Sequence, residues 1–269
     1  MEQQQPQSLV DTKGLPTFSI SLCPSLRLDL CQLNNTQNHG TTVWDSAKVL
    51  AFYLMDTIKR PSWTMENGKL EIQNTKKCIE LGSGCGLGGL TMAALGFDTV
   101  MTDLPSVVEH VLQVNKRQNE RHIKDWWYQL LEQSTHDSTM SLENPRLRVE
   151  PLDWLQYSVA PKEFHVENNN INSEKEIVDP PYHYILAADC IYSTEFLAPL
   201  LESCWHLAST TTTVLVALEH RDDIVVNAFL DKAKQVGFDT RMIPKKLLKT
   251  QLIENEDIEI WKLKKKRQR

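Results

Sequence analysis

The chain has 269 residues, of which 41% are hydrophobic and 24% charged, and it carries a formal net charge of −6. That length fits one large domain, or one domain with insertions, with enough apolar residues to bury a core. The acidic balance argues against a general nucleic-acid binder, and no apolar run reaches the roughly 20 residues of a membrane span.

The first residues, MEQQQPQSLVDTKG, have neither a basic start nor an apolar stretch, so no secretory signal is expected. Residues 1–16 are polar and Gln-rich and read as a disordered arm before a domain spanning 17–269. Cysteines stand at 23, 31, 78, 85, 190 and 204 with no Cys-x-x-Cys pair. That pattern argues against a zinc site or a disulfide framework and fits a reducing compartment. A cytoplasmic location follows, with the nucleus as a second compartment.

Two patterned stretches, Thr17–Leu22 and Arg27–Leu33, read as a small hairpin or an edge addition to a sheet. Val43, Ala47, Leu50, Ala51, Leu54 and Ile58 have helical spacing, and Pro61 ends that helix. Strands and helices then alternate. Strands are predicted at Lys77–Leu81, Thr99–Thr102, Arg146–Glu150, Tyr184–Ala188 and Thr212–Leu218. Helices are predicted at Leu87–Leu95, Pro105–Asn119, Thr194–Leu207 and Asp222–Val236, and a closing strand pair at Phe238–Met242 and Ile258–Leu263. Such alternation predicts an α/β, Rossmann-like, mostly parallel sheet with helices on both faces. The closing pair, with no helix between its strands, predicts one antiparallel strand.

Glu120–Asn144, which contains a helical-looking piece, IKDWWYQLLEQ, and Pro161–Pro181 exceed ordinary loop lengths and read as surface insertions. Trp126 and Trp127, in the first, read as packing or a partner patch. The tail from Lys262, KLKKKRQR, reads as a solvated end, with an address signal or docking patch as the alternative. The eight histidines show no metal spacing, and no metal is expected.

Chemistry concentrates in CIELGSGCGLGGL, residues 78–90, with five glycines in thirteen residues. A strand that ends in Gly-x-Gly and turns into a helix leaves backbone N–H groups open to a ligand. Gly84, Gly86 and Gly89 satisfy the dinucleotide pattern Gly-x-Gly-x-x-Gly, but the register is ambiguous in so glycine-rich a stretch. Counting from the strand end gives Glu80-Leu81-Gly82-Ser83-Gly84. A carboxylate at Glu80 suits a cationic ligand and would repel a pyrophosphate. S-adenosylmethionine has an ammonium, a sulfonium and no phosphate. Asp103, 21 residues after Gly82, stands where an acidic residue accepts ribose hydroxyls in either cofactor class. No tyrosine has a lysine four residues on, so one dehydrogenase signature is missing.

GTTVWDSAKVL (40–50), ELGSGCGLGGL, TDLP (102–105), PLDW (151–154) and AADCIY (187–192) occur in that order. Together they resemble the seven-β-strand protein lysine methyltransferases of the methyltransferase-like 21 group, from about residue 40 onward apart from the two insertions. The resemblance implies S-adenosyl-L-methionine as methyl donor. It implies Trp44 at the donor's methionine end, the backbone of Gly82, Ser83 and Gly84 against the donor, Asp103 on the ribose, Trp154 beside the adenine, and contact from Ala188. It also implies Asp189 and Tyr192 at the substrate mouth, Asp189 to bind and orient a lysine and Tyr192 to shape the wall. A protein substrate is implied, with a translation factor or chaperone as the class, and a monomeric enzyme is expected. The competing readings are a methyltransferase for an N-terminal amine or small molecule, a non-catalytic partner-binding scaffold, and a nicotinamide oxidoreductase.

Overall fold

The structure is a computed structural model, which describes residues 9–33, 41–61, 63–66, 69–72, 75–134, 141–142, 147–161 and 178–266. The chain opens with strands β1 (Thr17–Cys23) and β2 (Leu26–Cys31), paired antiparallel as a hairpin. Alternation puts Phe18, Ile20 and Leu22 of one strand and Leu26, Leu28 and Leu30 of the other into the core. Helix α1 (Asp45–Thr57) follows, then two short strands, β3 (Trp63–Glu66) and β4 (Lys69–Ile72).

The central run is β5 (Lys77–Leu81), α2 (Leu87–Ala94), β6 (Asp98–Asp103) and α3 (Pro105–Val107). A wide helical turn, Val108–Leu112, leads from α3 into α4 (Gln113–Ser134). The two-residue strand β7 (Ser141–Leu142) joins β3 and β4 in a small sheet. Then come β8 (Leu147–Pro151), α5 (Trp154–Val159), β9 (Tyr182–Ala188), α6 (Leu197–Leu207), β10 (Ala208–Glu219), α7 (Asp223–Val236), β11 (Phe238–Met242) and β12 (Ile258–Lys265).

The main sheet has seven strands in the order β11-β12-β10-β9-β5-β6-β8, with β12 antiparallel to both of its neighbours. This is the predicted mostly parallel sheet with one antiparallel strand. Side-chain alternation sorts its residues into two cores. Cys78, Met101, Leu186 and Leu215 face α1, α2, α4 and the hairpin. Ile79, Val100, Ile185 and Val214 face α5, α6 and α7. The strand order reverses at β5 and β9, the place where an open α/β sheet leaves a crevice at its carboxyl ends.

Four expectations need correction. Residues 120–134 are not a surface segment but the continuation of α4, because Ile123, Trp126 and Trp127 supply an apolar stripe at helical spacing. Trp126 and Trp127 are 1% and 0% exposed, so they pack, and the Trp126 indole donates to Ser25 Oγ at the hairpin turn. The arm is not disordered throughout. Its residues 9–16 dock on the domain, with Thr12 buried, whereas 1–8 lie outside the described residues. The first part of the tail is not a solvated end: Lys262–Lys265 belong to β12, and the Lys264 and Lys265 amines donate to carbonyls of Thr211, Thr212, Trp205 and Ala208, whereas 267–269 lie outside the described residues. Their aliphatic stems let charged residues sit in a strand while the amines find acceptors at its rim. Finally, the helix predicted from Val43 starts two residues later, at Asp45, so Trp44 is not part of it. It is the extended residue that caps α1. Most of the second proposed insertion, residues 162–177, lies outside the described residues, and Val178 at its end is buried in the core.

Candidate functional site

The carboxyl ends of β5, β6, β8, β9 and β10 surround a cleft of about 610 Å³, within the range of roughly 300–1,000 Å³ typical of small-molecule sites. Its lining includes Trp44, Gly82, Ser83, Gly84, Asp103, Trp154, Ala188, Asp189 and Tyr192. Residues spread over 149 positions of sequence are thus brought together (Trp44 to Tyr192).

Hydrogen bonds to β6 and close packing fix the course of the glycine loop. Ser83 bridges to β6 twice, its N–H donating to Thr102 O at 2.9 Å and its Oγ accepting from Thr102 N at 3.0 Å. Gly82 has a φ of +59°, and a Cβ there would lie 2.7 Å from the Trp154 ring and 2.8 Å from Cys190 Sγ. Only glycine combines that backbone with that proximity.

Asp103 ends β6 and is 9% exposed. Its Oδ2 accepts from Gly84 N and its Oδ1 from Leu104 N, both at 2.8 Å. Each carboxylate oxygen therefore keeps acceptor capacity for one hydroxyl. Burial pushes its pKa up to about 6, against the pull of those two backbone donors. Trp154 opens α5, whose start is capped by Asp153 accepting from Leu155 N at 2.9 Å. The adjacent Leu152 N donates to Asp103 O at 2.9 Å, which fixes α5 to the end of β6.

Glu80 is the predicted site residue that does not line the cleft. It is buried beneath the loop, where its Oε2 accepts from Gly89 N at 2.9 Å. A Cβ on Gly88 would collide with its carboxyl. Glu80 therefore braces the amino end of α2 from behind, and burial raises its pKa to about 7. Its acidic character still contributes to the field at the loop, but it offers no direct contact to a ligand in the cleft.

Asp189, just past β9, has a φ of +56°, a backbone region uncommon outside glycine. Its N–H donates to Ala217 O at 2.9 Å, which holds that turn against β10. The carboxylate side chain is 10% exposed and pairs with Arg221 Nη2 at 3.4 Å. Burial raises the Asp189 pKa, and Arg221 opposes the rise. Tyr192 is 49% exposed, and its ring stands 5.6 Å from that of Phe196 at the rim.

Arg221 escaped the sequence reading. It lies two residues past β10, pairs with Glu219 and Asp189, and stands 5.1 Å from the Trp44 ring centre. The crevice rule applied to β9 would have found it at β10 as well. Among the described residues no cluster of His, Cys, Asp or Glu is arranged to hold a metal ion.

A family model described as lysine methyltransferase matches residues 24–145 and 139–236. The chain belongs to that lysine methyltransferase family. It is 27% identical over 202 residues to the protein-lysine methyltransferase METTL21E of Mus musculus, covering 74% of this chain and 63% of that protein. It is 29% identical over 178 residues to the protein N-lysine methyltransferase METTL21A of Xenopus tropicalis, covering 66% and 60%. The chain spans less than two thirds of these relatives' own length. Among solved structures, the glycopeptide N-methyltransferase MtfA complexed with sinefungin superposes with a TM-score of 0.50 at 9% identity, covering 86% of this chain and 90% of that one, a likeness of fold.

Proposed function

We propose that the chain is an S-adenosylmethionine-dependent methyltransferase that methylates a lysine amine of a protein substrate. The observation that carries the reading is Asp103, anchored by two backbone N–H groups beside a side-chain-free loop, in a cleft whose mouth holds Asp189 and Tyr192. The donor fits these residues. Its ribose hydroxyls match the remaining acceptor capacity of Asp103. Its cationic groups match a cleft lined by the carboxyls of Asp103 and Asp189, where a pyrophosphate would be repelled. Gly82, Ser83 and Gly84 would meet it with backbone, Trp154 would flank the adenine, and Trp44 and Ala188 would border the methionine end. When bound, the donor supplies a methyl group already activated by its positive sulfur.

What this chain's own residues must do is align the acceptor and favour its neutral form. An ordinary lysine has a pKa of about 10.4, so at pH 7 the neutral amine costs roughly 4–5 kcal/mol. An unpaired anion at the mouth would raise that cost. Asp189 is not unpaired: Arg221 neutralises much of its field and is itself a cation that disfavours a neighbouring ammonium. The Asp189–Arg221 pair therefore orients an incoming amine, Tyr192 and Phe196 form the wall, and the proton leaves to water.

The substrate class that the resemblance implied, a translation factor or chaperone, stands within this proposal, as do a monomeric enzyme and the cytoplasm. The six thiols are all free, which suits a reducing compartment. Labelled donor, incubated with the protein and a cell extract, tests the activity. A labelled lysine in a protein band is the expected result, and label on an N-terminal amine or small molecule alone would replace the reading. Asp189→Ala should lower turnover at least tenfold, or about 1.4 kcal/mol in the barrier, with donor affinity little changed. Full turnover would remove Asp189 from the substrate site, and lost affinity would move it to the donor site.

A further inference from the structure

The docked part of the arm carries a lysine to the mouth of the cleft. Thr12 and Leu15 close a turn, Leu15 N donating to Thr12 O at 3.2 Å, and Lys13 and Gly14 form its exposed tip. The turn is clamped. The buried Gln32 amide donates to Thr12 O and to Leu15 O, each at 2.9 Å. The same amide accepts from Val43 N at 2.7 Å, one residue before Trp44. Upstream, the fully buried Lys48 amine donates to Leu9 O at 2.9 Å. One side chain thus ties the turn to the backbone that positions Trp44.

From that turn the Lys13 amine stands 4.9 Å from the Trp44 ring centre. Its charge is close enough to Asp189 to pull that carboxyl's pKa down. The charges of Lys48 and Asp189 also act on Lys13, and Arg221 faces the same Trp44 ring at 5.1 Å. Among the described residues, Lys13 is the lysine whose amine stacks on an aromatic ring of the cleft.

We propose that Lys13 is a methyl acceptor for the chain's own active site, modified within the same molecule. The inference rests on the methyltransferase reading and adds a site to it. In the step, the Lys13 amine, having given a proton to water, forms an N–C bond to the donor's methyl carbon. The methyl's bond to sulfur breaks, both its electrons stay with sulfur, and S-adenosylhomocysteine leaves. No further reactant is needed.

Two measurements test it. The first needs no donor. The purified full chain is reductively methylated with 13C-formaldehyde and observed by NMR. The Lys13 resonance, assigned by its loss in Lys13→Arg, should be shifted upfield by the Trp44 ring and return toward the position of exposed lysines in Trp44→Leu. An unshifted Lys13 resonance would overturn the placement and the proposal. In the second, unmodified protein is incubated with deuteromethyl donor and mapped by peptide mass spectrometry. Label at Lys13, at a fractional rate independent of protein concentration and absent from heat-denatured protein, is the expected result. Bimolecular kinetics, or label equal to that of denatured protein, would overturn the proposal. So would an unlabelled Lys13 in protein that binds donor and labels extract, while the methyltransferase reading stood. Absence of donor binding in calorimetry would overturn both.

Discussion

Asp103 shows how far a single residue's role follows from its position. An acidic side chain at the carboxyl end of the second parallel strand was legible in VMTDLP, because strand ends of that kind face the crevice. The structure adds that both oxygens already hold a backbone N–H. Asp103→Ala should weaken donor binding by about 1.5–3 kcal/mol, read as a dissociation constant by calorimetry on a folded variant. An unchanged constant would mean the ribose is held elsewhere. Glu80 was legible as an acid near the loop but not in its direction. It shares a strand face with Cys78, toward α2, and period-two alternation applied from Cys78 would have turned it away from the cleft. Its raised pKa has a consequence for stability. An acid whose pKa rises from 4.5 to about 7 on folding favours the folded state while protonated. That contribution is fully present below pH 4.5 and is lost as pH rises through about 7. The loss is on the order of 3 kcal/mol. Urea denaturation at pH 5 and pH 8 should show a smaller fall in stability for Glu80→Gln than for the wild type. Equal slopes would place the titration in another group.

Most elements were legible because their hydrophobic periods are regular, and those that were not share a reason. In the extension of α4, three buried apolar residues are diluted by charged ones, so the helical piece read as part of an insertion and not as one helix with Pro105–Asn119. β3 and β4 have four residues each and β7 two, too few for a period to show. The buried pair Asn115 and Asn119 looks like helix surface in the sequence. In the structure both amides pair with the backbone of β2, and Asn115 also reaches Cys85 O in the glycine loop. One turn of polar side chains therefore connects the hairpin, α4 and the loop. The arm is the same kind of case. Polar composition made residues 1–16 look disordered, yet the Gln32 amide and the Lys48 amine are buried donors whose acceptors lie on that segment. Removing residues 1–16 strips Gln32 Nε2 of both its acceptors and Lys48 Nζ of one. A buried donor left unpaired costs about 1–3 kcal/mol, and water entering the vacated site recovers a part. The truncated chain should be about 2–4 kcal/mol less stable to urea, with m unchanged. A loss below about 0.5 kcal/mol, the usual range of surface changes, would mean that the arm lies on the domain without holding it.

For the molecule as a whole, the alternation of strands and helices was enough to predict a parallel sheet, because a right-handed crossover between parallel strands needs a helix to span it. The order of the strands was not legible, since it depends on which of two sides each crossover takes. That order decides the function's location. With β5 between β9 and β6, the chain leaves to one side for β6 and β8 and returns on the other for β9 and β10, so the loops after five strands converge on one crevice. The cleft is consequently assembled from segments that lie between Thr42 and Arg221. None of them alone makes the site, and unfolding of the sheet disperses them all. A ligand that spans this cleft binds the folded chain and has nothing comparable to bind in the unfolded one. It therefore stabilises the whole domain by about 2.7 kcal/mol at a concentration 100 times its dissociation constant. For a domain of this size that corresponds to a rise in Tm of about 5–10 °C. S-adenosylhomocysteine at that excess should produce such a shift as a single cooperative transition, with Trp fluorescence and far-UV circular dichroism moving together. NAD at the same concentration should leave Tm where it was, because its pyrophosphate would enter a cleft lined by the carboxyls of Asp103 and Asp189. A shift with NAD and none with S-adenosylhomocysteine would reverse the assignment of the cleft. A shift confined to one of the two probes would show that the ligand orders a loop without engaging the assembled sheet.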